Sequence, residues 1–383
     1  MPRSATDKQV SFNRATHGLR GIASVMVFLA HLIGGTAEHI YAGRADYVDG
    51  VAPFWNFGTY GVFLFFVISG FVILPSALRY SASEFAARRF MRIYPLFFVL
   101  SLVYVALNAL THVEPKTNDP GAILAALTFV NIFTRTLQLT PNAWSLTFEV
   151  WFYVMTVIGV IVFVKTPSRT AQILLLVFVG YFLSRFPSAF YFIGGLLVRV
   201  IADGTKLLQR PRPVLEAIAF AALVALASRG HWGYRWSDMH NPVLPALIVV
   251  TTAYFALAIA PGSLTARLLD NRAAAWLGTI SYSLYLVHPY TYLATRMSFA
   301  HLGWFGDTIT LSMTAFIAVT TLVTLPATIL AHRLLERAPY EWVFKQRVFA
   351  TGSARPLRLW PRPRAARAAR AESAESAESV GRG

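Results

Sequence analysis

Apolar residues occupy this chain in blocks, not in alternation. Runs near residues 18–37, 57–78, 93–111, 143–164, 171–184, 188–203, 213–228, 243–261, 274–295 and 307–331 are separated by short polar segments. Crossing a hydrocarbon core of about 30 Å takes about 20 helical residues, and most of these runs approach that length. The alternating strands of about ten residues that build membrane barrels are absent. Lipid tolerates no unpaired backbone, so the predicted elements are helices. The fifth and sixth runs are short and meet at Pro187, which makes them the weakest spans.

One more apolar run, "GAILAALTFVNIFTRTLQ" at residues 121–138, competes for the role of a span. Charge placement argues against it. If it is partial or re-entrant, Arg3, Lys8, Arg14, Arg79, Arg88, Arg89, Arg92, Lys165, Arg169, Lys206, Arg210, Arg212, Arg267, Arg272, Arg333 and Arg337 all fall on one side. The positive-inside rule makes that side cytoplasmic. The predicted architecture is an all-α integral membrane protein: a bundle of about ten transmembrane helices with both termini cytoplasmic.

Composition supports a lipid-embedded chain. Of 383 residues, 56% are hydrophobic and 14% charged, against about a quarter charged in soluble domains, and the mean hydropathy is +0.52. The net charge of +16 is spread between apolar runs and gathered near the C-terminus, without aromatic interleaving on one surface. It is expected to set topology and to meet an anionic partner, not a nucleic acid. With no cysteine, disulfides, thiolate nucleophiles and cysteine-ligated metals are excluded, and no metal is expected.

Three segments follow. Residues 1–16 form a polar cytoplasmic N-terminal segment with no evident cleavable signal, and 17–340 form the membrane domain. Residues 341–383 form a basic tail ending in "RPLRLWPRPRAARAARAESAESAESVGRG", expected to be largely disordered and to touch anionic lipid. Any chemistry must then come from the membrane helices and their loops.

Charged groups inside lipid cost roughly 2.5–3.5 kcal/mol on insertion scales, so those retained usually face the bundle interior. The first span, "HGLRGIASVMVFLAHL", carries Arg20 and His31. Eleven residues at about 100° apiece come within about 20° of three full turns, so the two share a face about 16 Å apart. Either they snorkel to opposite headgroup layers or they line an internal path. In "EFAARRFMRIYPL", Arg89 and Arg92 lie on one helical face with Arg88 beside them. Guanidinium forks bind phosphate bidentately, although a simple positive-inside anchor has the same composition.

In "PNAWSLTFEVWFY", Ser145, Glu149 and Tyr153 recur every four residues as a polar stripe. Glu149 has no cationic partner in its own helix, so it needs a cation, a proton or a substrate hydroxyl, unless it is part of a structural salt bridge. In "LGTISYSLYLVHPY", Tyr282, Tyr285 and His288 are spaced at three; an interfacial aromatic girdle is the plainer reading. On the predicted topology His31, Glu149 and His288 project into the outer half of the bilayer and the arginines at the inner face.

Together these motifs resemble the acyltransferase-3 family of membrane O-acyltransferases, which modify surface polysaccharides, lipopolysaccharide O-antigen, Nod factors and some macrolides. The resemblance rests on "LRGIASVMVFLAHL", "GVFLFFVISGFVI", "RRFMRIYPL", "WSLTFEVWFY", "ISYSLYLVHPY" and "HRLLERAPY" in that order. It implies a ten-helix fold in the bacterial inner membrane, an acyl-CoA donor (acetyl-CoA by default) bound from the cytoplasm, and an acceptor hydroxyl on a saccharide or glycolipid at the outer side. It places Arg20 and His31 on the first-span motif, Arg89 and Arg92 on the arginine motif, and Glu149 on the acidic position.

Acyl transfer needs a deprotonated hydroxyl, a held oxyanion and a stabilised leaving thiolate. The expected assignment has Arg88, Arg89 and Arg92 gripping CoA phosphates and His31 as general base. Glu149 orients that imidazole or stabilises its imidazolium, and Tyr153, Ser145 or His288 donates to the oxyanion; a covalent acyl-histidine or acyl-serine step stays open. The rival reading is a proton-coupled transporter or flippase for a lipid-linked sugar, using the same residues as a proton relay.

Overall fold

The computed structural model describes residues 13–111, 114–140, 142–230 and 236–345. The expectations for residues 1–12 and for the tail from 346 onward lie outside the described residues, as does Pro141.

Every predicted apolar run is helical. The helices are α1 (Arg14–Ile40), α2 (Ala45–Arg79), α3 (Ala82–Thr111), α4 (Trp144–Lys165), α5 (Arg169–Arg185), α6 (Pro187–Gly204), α7 (Pro213–Ala227), α8 (Val243–Ala258), α9 (Arg272–His301) and α10 (Ile309–Phe344). Among the described residues, α1, α2, α3, α4 and α10 are each long and apolar enough to cross a membrane. The pair α5 and α6 qualifies as one unit, bent by 118° at its break. Pro187 stands at that break, where a missing N–H and a fixed φ end the helix. No strand occurs among the described residues, and the chain is a multi-pass helical membrane protein.

The 121–138 run does not form a continuous helix. It gives an eight-residue helix, Pro120–Leu127, and one turn, Asn131–Thr134. Eight residues rise only about 12 Å. Between the two pieces Phe129 sits at φ 57°, in the left-handed region that ends helices. The segment is held against α4, where Trp151 Nε1 donates to the Phe129 carbonyl at 2.8 Å and Thr147 Oγ1 donates to Asn131 at 3.0 Å.

Helix α9 is the centre of the bundle, buried at every residue from Ile280 to Pro289. It packs along α1 and α10. The α1 crossing is close because glycines face each other: a Cβ on Gly21 would stand 2.7 Å from the Gly278 nitrogen. Small residues at such crossings let helix backbones touch, and this contact brings the far half of α1 alongside α9.

A buried carboxylate ties α7 to the α8–α9 connection. Glu216, 1% exposed, accepts the backbone N–H groups of Leu264 and Thr265 at 2.8 and 2.7 Å. These are orphan donors at the start of a helical turn, so the acid acts as a cap from another helix. Glu216→Gln keeps one acceptor and loses the charge. It should destabilise the detergent-solubilised protein by about 1–2 kcal/mol, read as a lowered melting temperature.

Candidate active site

His31 opens a π-helical turn, His31–Gly35, inside α1. Such widened turns re-aim side chains and are frequent at functional sites. Its Nδ1 lies 2.8 Å from the Val27 carbonyl. A carbonyl only accepts, so Nδ1 carries the proton and Nε2 is the basic nitrogen. The Trp55 ring packs edge-on to the imidazole, with ring centres 5.3 Å apart. Gly34 makes room for that indole, since a Cβ there would come within 2.6 Å of it.

Against His31 stands His288, with ring centres 5.1 Å apart. His288 is fully buried, and its Nδ1 is 2.9 Å from the Leu284 carbonyl, which fixes the same tautomer. Its Nε2 then accepts from Asn142 Nδ2 at 3.1 Å. The other hydrogen of that amide goes to the Tyr285 carbonyl at 3.2 Å. This carbonyl is available because Pro289, four residues on, has no N–H to occupy it. Ser145 Oγ lies 2.8 Å from the Tyr285 hydroxyl, and both lie within 3.1 Å of the Asn142 carbonyl.

His31, Asn142 and Tyr285 line a cavity of about 850 Å³, within the ~300–1,000 Å³ range of ligand pockets. Trp55, Trp144 and Trp236 contribute to its wall. His288 and Ser145 stand behind that wall, touching its lining residues.

Glu149 is not among the residues lining the cavity. It is one helical turn below Ser145, about 6 Å along the axis, and accepts from Ser69 Oγ at 2.8 Å and from the Tyr153 hydroxyl. Arg20 is its electrostatic neighbour, and Arg20 has Arg92 and Glu336 close to it as well. The ring facing His31 belongs to His288, and the group holding His288 is Asn142, while the hydrogen bonds of Glu149 run to Ser69 and Tyr153.

The arginines divide as well. Arg88 is committed to Glu84 (2.8 and 3.0 Å) and the Tyr340 hydroxyl (3.1 Å), and it lies over the Tyr80 and Phe344 rings. Arg89 donates to Ser76 Oγ at 3.2 Å and covers Tyr153. Arg92 is near enough to Arg20 and His17 to repel them electrostatically. Neither Arg89 nor Arg92 takes part in a salt bridge among the described residues. Three guanidinium groups, those of Arg20, Arg89 and Arg92, thus gather with Glu149 and Glu336 in the basic half of the bundle. That surplus of positive charge fits a phosphate-bearing ligand.

A sequence model of the acyltransferase domain matches residues 13–333. The chain belongs to the acyltransferase-3 family. A curated relative, the peptidoglycan O-acetyltransferase OatA of Listeria monocytogenes serovar 1/2a, is 23% identical over 322 residues, covering 71% of this chain and 48% of the relative. This acyltransferase-3 chain thus spans about half the length of the curated relative it matches. No solved structure matches it.

Of three residues at the centre of this site, the sequence motifs single out neither Asn142 nor Trp55 and give Tyr285 another role. Asn142 lies three residues before Ser145 and seven before Glu149, which extends the polar stripe by the i,i+3 and i,i+4 rule. Tyr285 stood in the aromatic repeat but reads from sequence as girdle. Trp55 had no distinguishing signal beyond an aromatic outer segment.

Proposed function

We propose that this protein is a membrane O-acyltransferase, with acetyl as the default group, that moves an acyl group from cytoplasmic acyl-CoA to a saccharide or glycolipid hydroxyl on the outer side. The observation that carries this reading is the His31–His288–Asn142 chain at the wall of the cavity, with the arginine group in the other half of the bundle. The ten-helix topology with cytoplasmic termini in the bacterial inner membrane belongs to the same proposal. It is supported by helices over all ten runs and by the gathering of Arg20, Arg89 and Arg92 around Tyr153.

Arg89, Arg92 and Arg20 bind the phosphates of the donor. His31 Nε2 takes the proton from the acceptor hydroxyl as its oxygen attacks the thioester carbonyl. The C–S bond then breaks, and the imidazolium returns the proton to the departing thiolate, giving free CoA and an ester. His288, fully buried and edge-on to His31, fixes the His31 ring, and Asn142 holds His288 in the accepting tautomer. The Tyr285 hydroxyl, at the cavity wall with Ser145 behind it, becomes the donor for the oxyanion by turning its one hydrogen away from the Asn142 carbonyl. Tyr153 is bound to Glu149 and covered by Arg89, so it belongs with the donor side.

Two measurements test this. Purified protein supplied with acyl-labelled acetyl-CoA and a glycan should release CoA and transfer label only when both are present; sugar movement without thioester consumption would select the carrier. Among the arginines, Arg92→Gln should raise the donor KM about tenfold, the loss of one phosphate contact of about 1.4 kcal/mol. Arg88→Gln should change it less than twofold, because its guanidinium serves Glu84 and Tyr340. Equal effects from the two variants would place both in the donor site.

A further inference from the structure

Among the described residues, the cavity wall that carries His31 contains one permanent cation. Arg185, the last residue of α5, lines the cavity with an exposed side chain. None of the salt bridges among the described residues involves it. No Asp or Glu is found among the described residues lining the cavity. The remaining surface offers the indoles of Trp55, Trp144 and Trp236, flat apolar faces of the kind that pack on pyranose rings.

Building on the reading of this cavity as the acceptor site, we infer that the acceptor is an acidic saccharide. Its carboxylate pairs with Arg185, its ring lies against the tryptophans, and its hydroxyl reaches His31. A neutral glycan would fill the same volume and touch the same rings, but it would leave the guanidinium in water. A carboxylate matches the guanidinium fork with two parallel charge-assisted hydrogen bonds. In a partly enclosed apolar cleft that attraction is less screened than in bulk water, and a lining of one charge sign concentrates the opposite one. Anchoring the sugar at a second point also restricts how its hydroxyl meets the base, which converts binding into orientation.

The test compares two acceptors, an oligosaccharide containing hexuronic acid and its carboxyl-reduced counterpart, using purified full-length protein and labelled acetyl-CoA. Wild type should favour the acid by about tenfold or more in kcat/KM, in line with a hydrogen-bonded charge pair. Arg185→Gln should bring the ratio close to one through a higher acceptor KM, and Arg185→Lys should fall between. The ratio is taken within one preparation, so a variant that folds poorly lowers both numbers and leaves the ratio unchanged. Equal use of the two glycans by wild type, or a preference that survives Arg185→Gln, overturns the inference and leaves the acyltransferase reading standing. No transfer by wild type to either glycan overturns both.

Discussion

His31→Ala should reduce acyl transfer by about 10²–10⁴, the usual contribution of a general base, while the protein still purifies as a folded membrane protein. The imidazole lies at a cavity wall, half-buried, and its ring packs on Trp55 and His288. Truncation leaves a small space open to the cavity, not a void in the core, so stability should change little. His31→Gln refines the test, since glutamine keeps polarity and much of the volume but takes up no proton. His288→Ala should fall between wild type and His31→Ala, because it removes the support for the base and not the base itself. A pH profile of kcat should lose its histidine limb in His31→Gln. Near-normal turnover in that variant would remove His31 from the chemistry.

Glu149→Gln should chiefly unsettle the fold. Its carboxylate takes hydrogen bonds from Ser69 on α2 and Tyr153 on its own helix and offsets Arg20 on α1. Neutralising it leaves three guanidinium groups gathered with Glu336 as the remaining acid. The expected loss is about 2–3 kcal/mol, below the 3–5 kcal/mol typical of breaking a fully buried pair because Glu149 and Arg20 are only half-buried. The double variant Glu149→Gln with Arg20→Gln should recover part of that loss, since both signs of charge are then removed. Melting temperatures of the four proteins measure this directly. A Glu149→Gln protein as stable as wild type but lacking turnover would return Glu149 to the chemistry.

The positions of the helices were readable because block length and apolar content decide them, although the helices over the runs at 57–78, 93–111 and 307–331 extend well past them, to Ala45, Ala82 and Phe344. The partial character of residues 121–138 was readable from charge alone. The central place of α9 was not, because its Ser, Tyr and His residues resemble an interfacial pattern. Their hydroxyls are in fact satisfied inside the bundle, as when Tyr282 donates to the Ile93 carbonyl at 2.6 Å. Depth counting put His31 and His288 at matching levels, and the Gly21–Gly278 crossing makes them touch. Glu149, which the same counting grouped with the histidines, hydrogen-bonds Ser69 and Tyr153 and lies close to Arg20. The π turn at His31 has no local sequence signature.

The central claim is that the two halves of the bundle serve one transfer reaction, with the donor on the arginine side and the acceptor on the histidine side. Proteoliposomes of known orientation, given labelled acetyl-CoA at the face bearing Arg89 and Arg92 and glycan at the other face, test it most directly. The account predicts ester-linked label on the glycan, matched one for one by CoA on the arginine side. Labelled glycan that forms only when donor and acceptor share one face, or glycan that crosses unmodified, would contradict it.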